Sequence, residues 1–293
     1  VAEWYDPGSG GHATRDESSS GAIYRIAPKG FKTVIPTLKL QSIDGQIEAL
    51  LSPEPNIRFL GFQALQKNGN KAYTAVIELL NHKNPYLAAR AIWLLPYLGD
   101  AGIKKVQSLL KSKDAQYRLV AYRSLRRSGQ NLIPHAKVLA KDKNAGVRRD
   151  VALSMRAYSA KQSNSVLLEV SKRYDGVDKN YVESIGLGAA GKEESFWSQL
   201  KNSMKMKDPL QWSSAFARIT WRLGTSKALP DLKERVSARE LSMSDRLFAI
   251  ESIAFINHPD APDALFSLGQ SLKDPKIKQS ITRRILKRSL TAW

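Results

Sequence analysis

Histidine is the side chain best suited to metal ligation and proton transfer, and this chain holds four: His12, His82, His135 and His258. No two of them stand at the i, i+4 spacing of a helical metal site. His82 and His258 fall in polar turns, and His135 follows Pro134 at a helix start, so surface or capping roles account for them. The run Gly186-Leu187-Gly188-Ala189-Ala190-Gly191 spells GxGxxG. No strand precedes it and no βαβ unit surrounds it, so it carries no dinucleotide signal. The 293 residues include no cysteine, which removes disulfides, zinc–cysteine sites, a thiol nucleophile and covalently attached c-type haem. A phosphate loop, a nucleophile elbow and a paired-carboxylate motif are also missing. The residues call for no catalytic group, no cofactor and no metal. One of the longest apolar stretches, residues 91–99, falls far short of the ~20 residues a membrane span needs.

The elements that would position any site follow from an internal repeat. Pro55-Asn56-Ile57-Arg58, Pro85-Tyr86-Leu87-Ala88, Ala115-Gln116-Tyr117-Arg118 and Ala145-Gly146-Val147-Arg148 recur every thirty residues. Gly61, Ala91, Ala121 and Val151 form a small or compact column, and Leu65, Leu95, Leu125 and Met155 an apolar one. Gly69, Gly99, Gly129 and Ser159 fall where a helix should stop. Within each unit the apolar spacing is helical. Partner helices are expected over 72–80, 103–110 and 132–139. Further first helices follow over 181–191, 213–224 and 245–257, with partners over 196–204, 228–236 and 264–272. A partial opening helix spans 43–51 and a basic one 277–290. The expected fold class is all-α, a solenoid of about seven short helical hairpins that must stack to bury their apolar faces.

Asp114-Ala115-Gln116-Tyr117-Arg118 and Asp142-Lys143-Asn144-Ala145-Gly146-Val147-Arg148 resemble the turn and helix opening of short HEAT repeats, and Glu54 with Arg58 echoes the pattern. Arg58, Arg118 and Arg148 then read as structural, tying turns together. In HEAT solenoids the first helices line the concave side. The resemblance therefore points to Phe59, Phe62, Ile92, Trp93 and Pro96, then Tyr122, Arg123 and Arg126, then Arg149, Leu153 and Arg156. Either the aromatic groups pack between repeats, or Phe59, Phe62, Trp93, Tyr122, Arg123, Arg126, Arg149 and Arg156 form a groove that stacks on flat groups and pairs with anions.

Residues 1–30 do not repeat. Trp4-Tyr5-Asp6-Pro7-Gly8-Ser9-Gly10-Gly11-His12 leads through a Ser/Gly-rich loop to Ala22-Ile23-Tyr24-Arg25-Ile26-Ala27-Pro28, a strand candidate without a partner. The chain does not start with Met, as expected of a piece of a longer protein. This segment, running into HEAT-like helices, resembles the junction in large bacterial membrane-bound or sugar dehydrogenases. There a quinoprotein-like β-propeller precedes a HEAT domain, often followed by cytochrome c. The resemblance implies two parts, a propeller remnant at 1–30 and a HEAT-like domain at 31–293. It also implies a periplasmic or secreted setting, and partners that are neighbouring domains or other proteins. Trp4, Tyr5 and residues 23–26 are expected to cap the opening helices near Leu50, Phe59 and Phe62.

The charge leaves a second reading open. Lysine and arginine number 46 against 27 acids, a formal +19. Residues 101–161 hold fifteen bases but only Asp114, Asp142 and Asp150 as acids. Solvated helix faces explain such an excess, and so does an anionic partner. The alternative to a scaffold is a basic nucleic-acid-binding HEAT protein resembling the alkylpurine DNA glycosylases. It would use Trp93, Tyr122, Trp212 and Trp221, with Asp150 or Glu251 as the carboxylate.

Overall fold

The computed structural model describes residues 26–32 and 37–289. The chain divides into two units, Val1–Lys39 and Leu40–Trp293. In the first, the Phe31 N–H donates to the Pro28 carbonyl at 3.0 Å in a simple turn, and Ile26 is 85% exposed. His12, Trp4, Tyr5 and residues 22–25 of the expected strand lie outside the described residues.

In the second unit, α1 (Ile43–Leu51) precedes seven helical hairpins. They are α2 (Pro55–Asn68) with α3 (Tyr73–Glu78), α4 (Pro85–Leu94) with α5 (Asp100–Leu109), α6 (Ala115–Arg127) with α7 (Ile133–Leu139), and α8 (Ala145–Ser154) with α9 (Ala160–Ser171). The remaining three are α10 (Lys179–Gly188) with α11 (Glu193–Ser203), α12 (Ser214–Leu223) with α13 (Leu229–Ser237), and α14 (Met243–Phe255) with α15 (Asp260–Ser271). Helix α16 (Pro275–Ser289) follows them. The described residues contain no strand. The fold is an all-α solenoid.

Sequence chemistry explains the boundaries. Side chains of Ser42, Asn84, Asp114, Asn144, Asp178, Ser213 and Ser242 accept a backbone N–H from the first turn of their helices, satisfying donors that the helix itself leaves free. Gly69, Gly99 and Gly129 take φ of 55°, 100° and 76° at the hairpin turns, a region that suits glycine. Several second helices begin earlier than apolar spacing indicates: α5 at Asp100, α11 at Glu193 and α15 at Asp260. Their first turns carry Asp100, Glu193 with Glu194, and Asp260 with Asp263. Acids there complement the positive end of the helix dipole, a signal that hydrophobic periodicity does not contain.

The two inner columns are the core. Ala91, Ala121 and Val151 are fully buried, as are Leu65, Leu95, Leu125 and Met155. Helices α4, α6, α8, α10, α12, α14 and α16 form a file, each packed on the next. Helix α2 leaves that file. It packs on α1, and Gly61 makes the approach possible, since a Cβ there would lie 2.5 Å from the Leu50 nitrogen. A groove opens between α2 and α4 as a result.

Candidate binding groove

The residues proposed from sequence divide into three groups. The first is wholly internal. Tyr122 is fully buried, its hydroxyl 2.6 Å from the Ser154 Oγ, and burial pushes its phenol well above the usual range. Its ring faces the contact between α6 and α8, so it offers no wall to a ligand, and the expectation that it lines a groove is corrected. Ile92 and Pro96 are buried too, and Leu153 is half-buried. Trp212 is buried edge-on against Phe216 at 4.8 Å.

The second group is spent on ion pairs. Arg123 donates from Nε and Nη2 to both oxygens of Asp150 at 2.9 and 2.6 Å, and Arg126 lies 3.8 Å from the same carboxylate. Arg149 pairs with Asp178 at 3.5 Å. These bridges join α6 to α8 and α8 to the turn before α10. Asp150 is thereby a buried anion neutralised by two guanidinium groups. Arg156 is exposed just beyond α8.

The third group comes together. Phe59, Phe62 and Trp93 line the groove between α2 and α4, a cavity of about 610 Å³. Phe62 meets Tyr97 edge to face at 5.8 Å, and the guanidinium of Arg127 sits over the Trp93 ring at 5.8 Å. Phe59 is 59% and Tyr86 80% exposed. Sequence reasoning passed over Tyr86, Arg90, Tyr97 and Arg127, which share these walls with Arg58. A signal existed, because positions 86, 90, 93 and 97 follow one helical stripe. Arg90 donates through Nη1 to the carbonyls of Leu50 and Ser52 at 2.8 and 3.0 Å. Burial, and then the like charge of Arg58, hold its guanidinium below the usual range. The cavity lining contains three arginines and no acid. Among the described residues Arg58, Arg90 and Arg127 have no carboxylate within ion-pair distance.

A smaller cavity of about 220 Å³ lies near the other end, walled by Trp221, Glu251, Phe255 and Arg284 among others. Glu251 pairs with Arg284 at 3.2 Å. The histidines are placed as turn residues: Nδ1 of His82 accepts the Asn84 N–H at 3.0 Å, and Nδ1 of His258 that of Asp260 at 3.3 Å. His135 is half-buried, and burial lowers its pKa. Of the GxGxxG glycines, Gly186 and Gly188 are packing devices, since a Cβ would lie 2.6 Å from the Arg222 side chain and 2.2 Å from the Ala152 carbonyl oxygen, respectively. Gly191 is a turn residue with φ of 76°. Among the described residues no helix is long and apolar enough to cross a membrane, and no three His, Asp or Glu side chains are grouped to hold a metal ion.

Arg118 and Arg148 are structural. Arg118 grips Asp142 with Nε and Nη2, both at 2.7 Å, and its Nη1 donates to the carbonyls of Ser112 and Lys113. Arg148 repeats the Nη1 grip on Asp142 and Lys143, with its Nε donating to the Tyr181 hydroxyl at 2.7 Å. Arg58 donates from Nη1 to the Pro53 carbonyl at 3.2 Å.

Comparison with known proteins agrees with the geometry at the level of the repeat. Residues 73–156 match the family model for HEAT repeats. No curated protein matches the chain. Similar solved structures include the Escherichia coli protein YibA, 13% identical, covering 88% of this chain and 100% of that one at a TM-score of 0.45. An engineered protein is also 13% identical, over 86% and 79% of the two chains, with a TM-score of 0.40. A second engineered protein covers 86% and 98% at 13% identity and a TM-score of 0.24. The segment from α3 to the turn after α8 is similar to HEAT repeats, and the described residues around it continue the same helical solenoid.

Proposed function

We propose that this chain is a non-catalytic interaction and scaffold domain. The observation that carries the reading is the groove between α2 and α4, where aromatic side chains and three arginines stand open to a partner. Aromatic groups and arginine are the residue types that anchor protein interfaces. The match of residues 73–156 to HEAT repeats supports it. The finer reading is a domain of a larger exported dehydrogenase, with partners in neighbouring domains of the same protein. Its support is the resemblance of Trp4-Tyr5-Asp6-Pro7-Gly8 and the following residues to a propeller end.

The test is to read the coding sequence upstream of Val1, and to express any encoded upstream region separately. A leader, a propeller and association of the separate parts are the expected results. A reading frame that opens at Val1, or parts that ignore each other, would overturn the dehydrogenase reading. One observation favours the nucleic-acid alternative, namely Glu251 beside Trp221 and Phe255 in a basic cavity. That alternative expects excision of a methylated purine from duplex DNA, lost in Glu251→Gln.

A further inference from the structure

We propose that the groove between α2 and α4 takes an extended peptide segment bearing two acidic residues about three positions apart, with an aromatic or aliphatic side chain between them. This names the partner chemistry of the interaction reading above and rests on it.

The first argument comes from how this molecule uses its other arginines. Arg90, Arg118 and Arg148 share one arrangement, with Nη1 donating to two successive or near-successive backbone carbonyls of a turn. That grip fixes the guanidinium plane and leaves the Nε–Nη2 edge available to a second partner. In Arg118 the edge holds the Asp142 carboxylate, and in Arg148 the Nε holds the Tyr181 hydroxyl. Both hydrogen bonds of Arg90 run through Nη1. No bond from its Nε or Nη2 is present among the described residues, Arg90 lines the groove, and a carboxylate is the group that fits such a fork with two parallel bonds. The nearby Arg58 adds charge at the same end.

The second argument is spacing. Arg90 is anchored at the end of α1, on the carbonyls of Leu50 and Ser52, whereas Arg127 comes from α6 and lies over the Trp93 ring. Neighbouring helices pack about 8–10 Å apart. An extended chain covers that in about three residues at roughly 3.3 Å each. Phe59, Phe62 and Trp93 line the same groove, so the intervening side chain should be apolar. The cavity of about 610 Å³ lies within the range of sites that enclose a ligand-sized segment.

The ring geometry separates a peptide from a nucleic acid. Base stacking needs open aromatic faces in series. Here Arg127 covers a Trp93 face, and Phe62 meets Tyr97 at 73°. The rings form a corrugated apolar wall, which suits side chains better than bases.

The experiment is fluorescence anisotropy on the full chain with a fluorescein-labelled, C-terminally amidated peptide Gly-Glu-Phe-Leu-Glu-Gly. Replacing both glutamates by lysine should weaken binding at least roughly 30-fold, since two charge-assisted contacts are lost. Arg127→Glu and Phe59→Ser, at exposed positions that leave the core intact, should each cost about 10-fold. Arg90→Lys keeps the charge but loses the fork, and should cost a similar factor. Lys141→Glu with Lys143→Glu, elsewhere on the solenoid, should change little. The proposal is overturned if the lysine peptide binds as well, or if the Lys141/Lys143 variant loses as much as Arg127→Glu. It is also overturned if a single-stranded DNA 12-mer binds more tightly than the peptide through the same side chains. Failure of the peptide with intact association of solenoid and upstream region would remove this inference and leave the scaffold reading standing.

Discussion

Arg118 and Asp142 illustrate how single side chains hold this solenoid together. Their side chains are 14% and 5% exposed, so the charges are withdrawn from water and compensated by one another. Burial opposes ionisation of Asp142, but the Arg118 hydrogen bonds and charge, with the Asn144 N–H, outweigh it and set its pKa below the usual carboxylate value. A lowered folded pKa means that the stabilisation is fully present above about pH 4, the unfolded value, and is lost as pH falls through the folded one. Arg118→Met should therefore lower stability at pH 7 by about 3 kcal/mol, because it strands a buried carboxylate. It should also flatten the loss of stability on acidification below about pH 4. Urea titrations of both proteins at pH 7, 4 and 3 check both statements. Equal midpoints at pH 7 would show that the pair contributes nothing net.

Between elements, close approach decides more than helix propensity. Gly188 closes α10 and Gly269 lies inside α15, and in helices alanine is intrinsically preferred. A Cβ at 188 would lie 2.2 Å from the Ala152 carbonyl oxygen of α8, whereas one at 269 meets only the Ile281 methyl at an ordinary 3.5 Å. Gly188→Ala is expected to destabilise by at least about 2 kcal/mol, through forced separation of α8 and α10. Gly269→Ala should be neutral or stabilising by up to about 1 kcal/mol. Denaturant midpoints of the pair test this directly, and a mild effect at 188 would mean that the first helices slide apart at little cost. The same packing logic produced the groove, since α2 follows Gly61 onto α1 rather than joining α4.

For the molecule as a whole, the formal charge of +19 is partly committed. Arg118, Arg123 and Arg149 are tied to carboxylates, while Lys111, Lys113, Lys141 and Lys143 stand exposed in the turns between hairpins. Such scattered lysines attract polyanions by counterion release without reading sequence. Duplex DNA should bind weakly at low salt, indifferently to sequence, and dissociate by roughly 150 mM salt with a steep log–log slope. Anisotropy titrations across salt concentrations measure it. A complex that survives physiological salt and is lost with Arg123→Ala plus Arg126→Ala would restore the nucleic-acid reading.

The sequence by itself determined the solenoid, because a thirty-residue register of small, apolar and glycine columns can bury its apolar surface only as stacked hairpins. It also identified Arg118 and Arg148 as structural, since an arginine one turn into a helix after a polar turn lies within reach of that turn's carbonyls. It placed Phe59, Phe62 and Trp93 on one surface. The tertiary structure alone decided which neighbouring positions face inward. Tyr122 lies one residue from a core column, and only the contact of α6 with α8 buries it. It alone decided that Asp150 neutralises Arg123, because the partners stand 27 residues apart with nothing local to link them. It also opened the groove and anchored Arg90 in its wall. Those features depend on the departure of α2 from the file of first helices, which is a balance among contacts between helices and is not written in the periodicity of any one of them.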